Sequence, residues 1–218
     1  MNNSLSGNSS EIAGGGYYVD VGANHPTIES QTYHLEQLGW SGLLIEPIPD
    51  NCELLRKNRT GKVVECACSS PENNNHQLQL VLAGTASTFN PELLLKAARG
   101  LRTIAVKCKT LDSVLEENNV AAGFHFLSID VEGHEMEVFK GFTLTKWKPQ
   151  LVLLEDHVLT HEKHDYMRAN GYQLILRTGF NSWYVPATEK YDFSISAKLE
   201  YFRKYWLGIL YRKFRFRR

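Results

Sequence analysis

Four short apolar runs in this chain each end in a carboxylate, and that repetition constrains the fold more than any other feature. They are Tyr18-Val19-Asp20, Leu43-Leu44-Ile45-Glu46, Leu127-Ser128-Ile129-Asp130 and Leu153-Leu154-Glu155. Short, nearly continuous apolar runs suit strands covered on both faces. Between them lie stretches with apolar residues at helical spacing, around Leu35, Leu55, Leu115, Val138 and Met167, most of them closed by a glycine such as Gly39, Gly141 or Gly171. Strands alternating with helices, without an internal repeat, predict an α/β fold: a mostly parallel sheet with helices on both faces. Ligands of such sheets bind beyond the carboxyl ends of the strands, so all four acids should face one crevice.

The 218 residues fit one such domain. Residues 1–16, rich in Ser, Asn and Gly, read as a disordered leader. Residues 17–190 read as the folded domain and residues 191–218 as a basic, aromatic amphipathic end. Within the domain, Ser30 can cap a first helix and Asp50 opens a second. Residues 62–67 read as a third strand. Residues 77–82 and 103–109 alternate as half-exposed strands do. Residues 91–99 suggest a short helix, Thr110 or Asp112 caps another, and residues 172–177 and 181–185 form a closing hairpin.

No apolar stretch reaches the roughly 18 residues of a membrane span, and no basic run precedes an apolar one at the N-terminus. Cys52, Cys66, Cys68 and Cys108 form no C-x-x-C pair, so the expectation is free thiols in a reducing, cytoplasmic setting rather than a disulfide framework or a zinc site. The 24 basic and 24 acidic residues cancel, but unevenly. Residues 199–218 hold seven bases and one acid, a local charge of +6, which leaves −6 elsewhere.

Glu46 lies 26 residues after Asp20. In dinucleotide folds an acid in that region accepts hydrogen bonds from ribose hydroxyls. A nicotinamide cofactor, however, calls for G-x-G-x-x-G at the first turn. Here Gly22 is followed by Ala23, Asn24, His25 and Pro26, with no second glycine. An acid beside the turn would also repel a pyrophosphate. The pattern suits an adenosine carrying a cationic appendage, as S-adenosylmethionine does.

Three segments carry a family resemblance: Val19-Asp20-Val21-Gly22-Ala23-Asn24, Gly39-Trp40-Ser41-Gly42-Leu43-Leu44-Ile45-Glu46-Pro47, and Leu127-Ser128-Ile129-Asp130-Val131-Glu132-Gly133-His134-Glu135. Together with Leu154-Glu155 and Gly171-Tyr172 they resemble the FkbM family of S-adenosylmethionine-dependent methyltransferases, over most of the chain. Pro26 stands where many members carry glycine. The resemblance implies a Rossmann-like class I methyltransferase fold, with a seven-stranded sheet and an antiparallel final hairpin. It implies that Asp20, Gly22, Ala23 and Asn24 line the methionine end, that Glu46, followed by Pro47, holds the ribose, and that Ala67 and its neighbours meet the adenine. It also implies O-methylation of a hydroxyl on a sugar, glycoconjugate or related metabolite.

A hydroxyl needs help to lose its proton. His134 is the first choice of base because an imidazole titrates near neutral pH, with Asp130 binding the cofactor or orienting His134. Glu155, Asp156 and Asp130 together could hold Mg2+. His157, His161 and His164 recur at helical spacing, which puts them on one side of a helix. Acceptor contacts are expected from residues 69–76 and 84–91. At the C-terminal end, Leu199, Phe202, Trp206 and Ile209 or Leu210 form an apolar stripe beside Arg203, Lys204 and Arg212. Such a helix suits the anionic inner face of a membrane, its own domain or a second copy of the chain. Nucleic acid is not expected, since the rest of the chain is acidic. Two other readings remain, a non-catalytic cofactor- or glycan-binding module and a nicotinamide-dependent oxidoreductase.

Overall fold

The computed structural model describes residues 15–84, 86–90, 101–157, 160–191 and 199–208. A seven-stranded sheet takes the order β3-β2-β1-β7-β8-β10-β9. Its strands are β1 (Tyr17–Val21), β2 (Ser41–Glu46), β3 (Lys62–Glu65), β7 (Phe126–Ile129), β8 (Leu151–Glu155), β9 (Tyr172–Thr178) and β10 (Asn181–Pro186). The first five are mutually parallel, and β10 runs antiparallel between β8 and β9. The chain steps outward from β1 to β3, then returns to β7 on the other side of β1. That reversal opens a crevice above the ends of β1 and β7.

Residue alternation along each strand sorts the core into two faces. Val19, Val21, Leu43, Ile45, Leu127 and Ile129 point to one face and pack with Leu111, Leu115 and Val138. These come from α3 (Leu111–Glu117) and α4 (Glu135–Lys140). Tyr18, Leu44 and Phe126 point to the other and meet Leu55 and Leu35, from α2 (Pro49–Asn58) and α1 (Tyr33–Gln37). Two further α-helices are α5 (Leu144–Trp147) and α6 (Glu162–Ala169). Pro49 begins α2 where its missing N–H costs nothing. The Thr110 hydroxyl accepts from the Ser113 amide and caps α3.

Several expectations shift by local physics. The third run does not stay one strand. It breaks at Cys66, and β4 (Ala67–Cys68) leaves the main sheet to pair with β6 (Thr103–Lys109), which also pairs with β5 (Gln77–Val81). Thr32, not Ser30, occupies the cap position of α1, although the Ser30 hydroxyl accepts from the Thr32 and Tyr33 amides. β7 starts at Phe126 rather than Phe124. The helix expected over residues 91–99 lies outside the described residues.

At the C-terminal end, Tyr205 is fully buried in the main core with Tyr201 against it, while Leu199, Phe202 and Trp206 are exposed. Phe202–Gly208 is a π-helical turn. Ile209, Leu210 and Arg212 lie outside the described residues. Among the described residues no helix is long and apolar enough to cross a membrane.

Gly22 sits in the left-handed region at φ +86°, close against the chain after β7. A Cβ there would sit 1.8 Å from the Asp130 carbonyl oxygen. Gly171 has a similar φ of +81°, but a Cβ there would meet nothing within 4 Å. Gly171→Ala should therefore cost only the left-handed penalty of about 1–2 kcal/mol. Gly22→Ala should cost several kcal/mol, because the ends of β1 and β7 must also separate. Urea unfolding of the two variants checks this, and equal losses would contradict it.

Candidate functional site

A cavity of ≈490 Å3 opens above the carboxyl ends of β1, β2, β7 and β8. All four strand-end acids, Asp20, Glu46, Asp130 and Glu155, line it. Gly22, Ala23, Asn24, Pro47 and Ala67 line it as well. The strand pattern predicts one crevice for the four acids, the family resemblance adds the other five residues, and all nine line the same cavity.

Asp20 falls on the α1/α2 face by strand alternation. It is buried and accepts from the Thr32 hydroxyl at 2.6 Å. Burial pushes its carboxyl up to about 6, against the pull of Thr32 and of the more distant Arg59. Thr32 in turn accepts from Arg59 Nη2 at 2.9 Å. Arg59 is a hub. It pairs with Glu36 at 3.1 Å, reaches the Tyr18 hydroxyl, and donates to the Pro26 carbonyl and the Ser30 hydroxyl. Burial works against the Glu36 carboxylate, but hydrogen bonds from Arg59, Tyr18 and the Thr60 amide outweigh it and hold the group near 2. The network pins residues 26–32, part of the cavity wall, to the end of α2. Sequence reasoning missed Arg59, since a lone arginine after a helix reads as solvated.

Glu46 is buried at the end of β2. One carboxylate oxygen accepts from the Asn24 amide and the other from the Ile48 amide, each at 2.9 Å. Asn51 Nδ2 bridges Glu46 and the Asn24 side chain. Burial raises the Glu46 carboxyl, and these donors offset part of the rise. Oε1 serves both Ile48 and Asn51, and Oε2, with the Asn24 amide alone, keeps a lone pair for a ligand. The Gly22 and Ala23 amides both donate to the Ile45 carbonyl, so the turn after β1 is fixed by β2.

After β7 the chain turns through two left-handed residues, Glu132 (φ +50°) and Gly133 (φ +91°). This turn points Glu132 into the cavity. His134 is carried the other way. Its Nε2 lies 3.0 Å from the Ser69 hydroxyl and its ring packs on Phe89. Burial lowers its pKa, and it is not among the residues lining the cavity. Three carboxyl groups remain at this end, all pushed up by burial and by each other: Asp130 to about 8, Glu132 and Glu155 to about 7. His157 Nε2 lies 3.2 Å from Glu155 Oε1.

Asp156 departs from its expected place. Its carboxylate accepts from the Tyr205 hydroxyl at 2.6 Å and faces Arg177, so it serves the core rather than the cavity. The three histidines do not share a helix face either. α6 starts only at Glu162, His161 precedes it, and His164 is buried between Tyr184 and Tyr201. Of the expected acceptor loops, Gly84, Ser87 and Phe89 line the cavity, but residues 69–76 do not. The Thr178–Asn181 turn, with exposed Phe180, and residues 28–31 line it instead.

Residues 20–174 match the methyltransferase FkbM domain. The chain belongs to this family. Its sheet order and antiparallel last hairpin are those of a Rossmann-like methyltransferase. No protein with a curated description matches the chain. Among solved structures, a methyltransferase FkbM from Methylobacillus flagellatus KT is 15% identical, with a TM-score of 0.48, over 78% of this chain and 43% of that one. The N-terminal domain of human METTL16, solved in complex with SAH, is 15% identical with a TM-score of 0.42, over 81% of this chain and 62% of that one. The chain thus spans less than two thirds of either.

The Asp20 carboxyl has a pH signature of its own. Its folded pKa of about 6 exceeds the unfolded value of about 3.9. The folded chain then binds more protons between these values, so the stability linked to Asp20 is present below about pH 4 and lost as pH rises through 6. Asp20→Asn removes that dependence. Relative to the parent, the variant should gain on the order of 3 kcal/mol between pH 4 and pH 7. Denaturant unfolding at the two pH values measures the difference, and a constant offset would contradict it.

Proposed function

We propose that this chain is an S-adenosylmethionine-dependent methyltransferase acting on a hydroxyl of a sugar, glycoconjugate or related metabolite. The observation that carries the reading is Glu46. It is held rigidly by two backbone amides at the end of β2, and the turn around a single glycine lies beside it. A fixed carboxylate whose Oε2 keeps a free lone pair suits a ribose hydroxyl. The Gly22 turn is filled by the Asp130 carbonyl, which leaves no cradle for a pyrophosphate and argues against a nicotinamide cofactor. Ala67, Cys68 and Leu80 offer a small apolar wall for an adenine.

The cofactor supplies an electrophilic methyl group on a sulfonium. The residues of the chain hold it and manage the acceptor's proton. Asp20, Asn24 and Asp130 face the methionine end, where carboxylates favour a cation. Asp130 also lines the cavity, and the rise of its carboxyl to about 8 makes its ionised form a stronger base for the acceptor's proton. His134, turned toward Ser69, is the less suited of the two. The Thr178–Asn181 turn and Phe180 offer the acceptor a partly apolar rim.

Calorimetry with S-adenosylmethionine and with NADH tests the reading. S-adenosylmethionine should bind and NADH should not. Glu46→Gln should weaken binding by roughly 10- to 100-fold, because charged hydrogen bonds to the ribose are lost. Absence of binding, or binding indifferent to Glu46, would sink the proposal. Binding without methyl transfer across a panel of hydroxylated acceptors would favour a non-catalytic module.

A further inference from the structure

Beside the Thr178–Asn181 turn, Glu132, Glu155 and His157 bring one ligand atom each to within 4.8 Å of one another. They come from three separate places: the left-handed turn after β7, the end of β8, and the segment just past it. Opposite ligands of an ion with bonds of about 2.1 Å stand about 4.2 Å apart, so small side-chain rotations suffice to close the three on one ion.

A second observation points to a ligand. Glu155 is only 8% exposed; among the described residues no N–H or hydroxyl reaches its Oε2, and the polar neighbour within hydrogen-bond reach of its side chain is another acid, Asp130. An ionised oxygen buried in that way is costly unless something positive meets it. The nearest lysine does not serve. Lys163 is held by Glu135 Oε2 at 2.7 Å and by the Glu155 backbone carbonyl at 2.9 Å. Asp130 lines the same end of the cavity and adds a further carboxylate.

We propose that Glu132, Glu155 and His157 form a binding site for a divalent transition-metal cation. Two carboxylates that line the cavity and one exposed imidazole beside them leave coordination positions for water or for an acceptor. Oxygen-rich sets suit Mg2+ and Mn2+, and an imidazole shifts the balance toward the transition metals, so Mn2+ fits the mixed set. The set differs from the Asp130, Glu155 and Asp156 grouping that the sequence suggests, because Asp156 is committed to Tyr205 and Arg177. Its role rests on the methyl-transfer reading. A cation here would bind two neighbouring oxygens of the acceptor and favour loss of the hydroxyl proton to a nearby carboxylate.

Electron paramagnetic resonance of Mn2+ titrated into the full chain provides the test. One bound ion per chain is expected at micromolar Mn2+. His157→Ala and Glu132→Gln should each weaken it by about tenfold or more. The His157 side chain is 45% exposed, so its removal should leave the melting temperature and the affinity for S-adenosylmethionine unchanged. Absence of a bound ion, or binding that both variants retain in full, overturns the site. Binding of S-adenosylmethionine without Mn2+ removes this inference alone, whereas Mn2+ binding without S-adenosylmethionine removes the functional reading and keeps the site.

Discussion

Five carboxyl groups gather in one crevice at the strand ends, three of them buried, and much of the surrounding structure serves to accommodate them. Burying a carboxylate costs several kcal/mol unless hydrogen bonds or opposite charge offset it. The chain meets that cost differently at each strand end. Asp20 leans on Thr32 and, through it, on the Arg59 hub. Glu46 takes two backbone amides. Asp130, Glu132 and Glu155 receive the least, and their carboxyls are pushed into the neutral range. The uneven treatment divides the cavity into a preorganised end and an end where three raised carboxyls crowd together.

That division follows from the sheet. Parallel strands all aim their carboxyl ends at one edge, and the reversal between β1 and β7 leaves room there. The Gly22 contact with the Asp130 carbonyl brings β1 and β7 together closely enough for their acids to share a space. Arg59 then fixes the outer wall by tying residues 26–32 to α2. Stability and function meet in the same residues, so the crevice resembles other sites where perturbed carboxyls gather for chemistry.

Much of this was legible in the sequence, for definite reasons. Strands buried on both faces must be apolar, and their terminal acids stand out against such runs. Hence Asp20, Glu46, Asp130 and Glu155 could be placed in one crevice. The turn of β4 away from the main sheet was not legible, because residues 62–67 look uniform and the break is decided by pairing with β6 some forty residues later. His134 drew notice because an imidazole titrates near neutral pH, yet two left-handed residues before it decide which side chain enters the cavity, and that is Glu132. Asp156 looked free beside Glu155, but strand alternation and Tyr205 take it to the core. Arg59 and its partners carry no local signature, since burial of charged groups is a property of tertiary packing.

The cavity above β1 and β2 is the proposed seat of the adenosyl cofactor. Ultraviolet photolabelling with methyl-labelled S-adenosylmethionine, followed by peptide mapping, tests it most directly. The label should fall on the peptides that hold Asp20 to Asn24, Glu46 to Asn51 or Ala67 to Cys68, and unlabelled cofactor should suppress it. Specific labelling confined to the groove near His164 and Tyr201, or labelling that excess cofactor leaves unchanged, would contradict it.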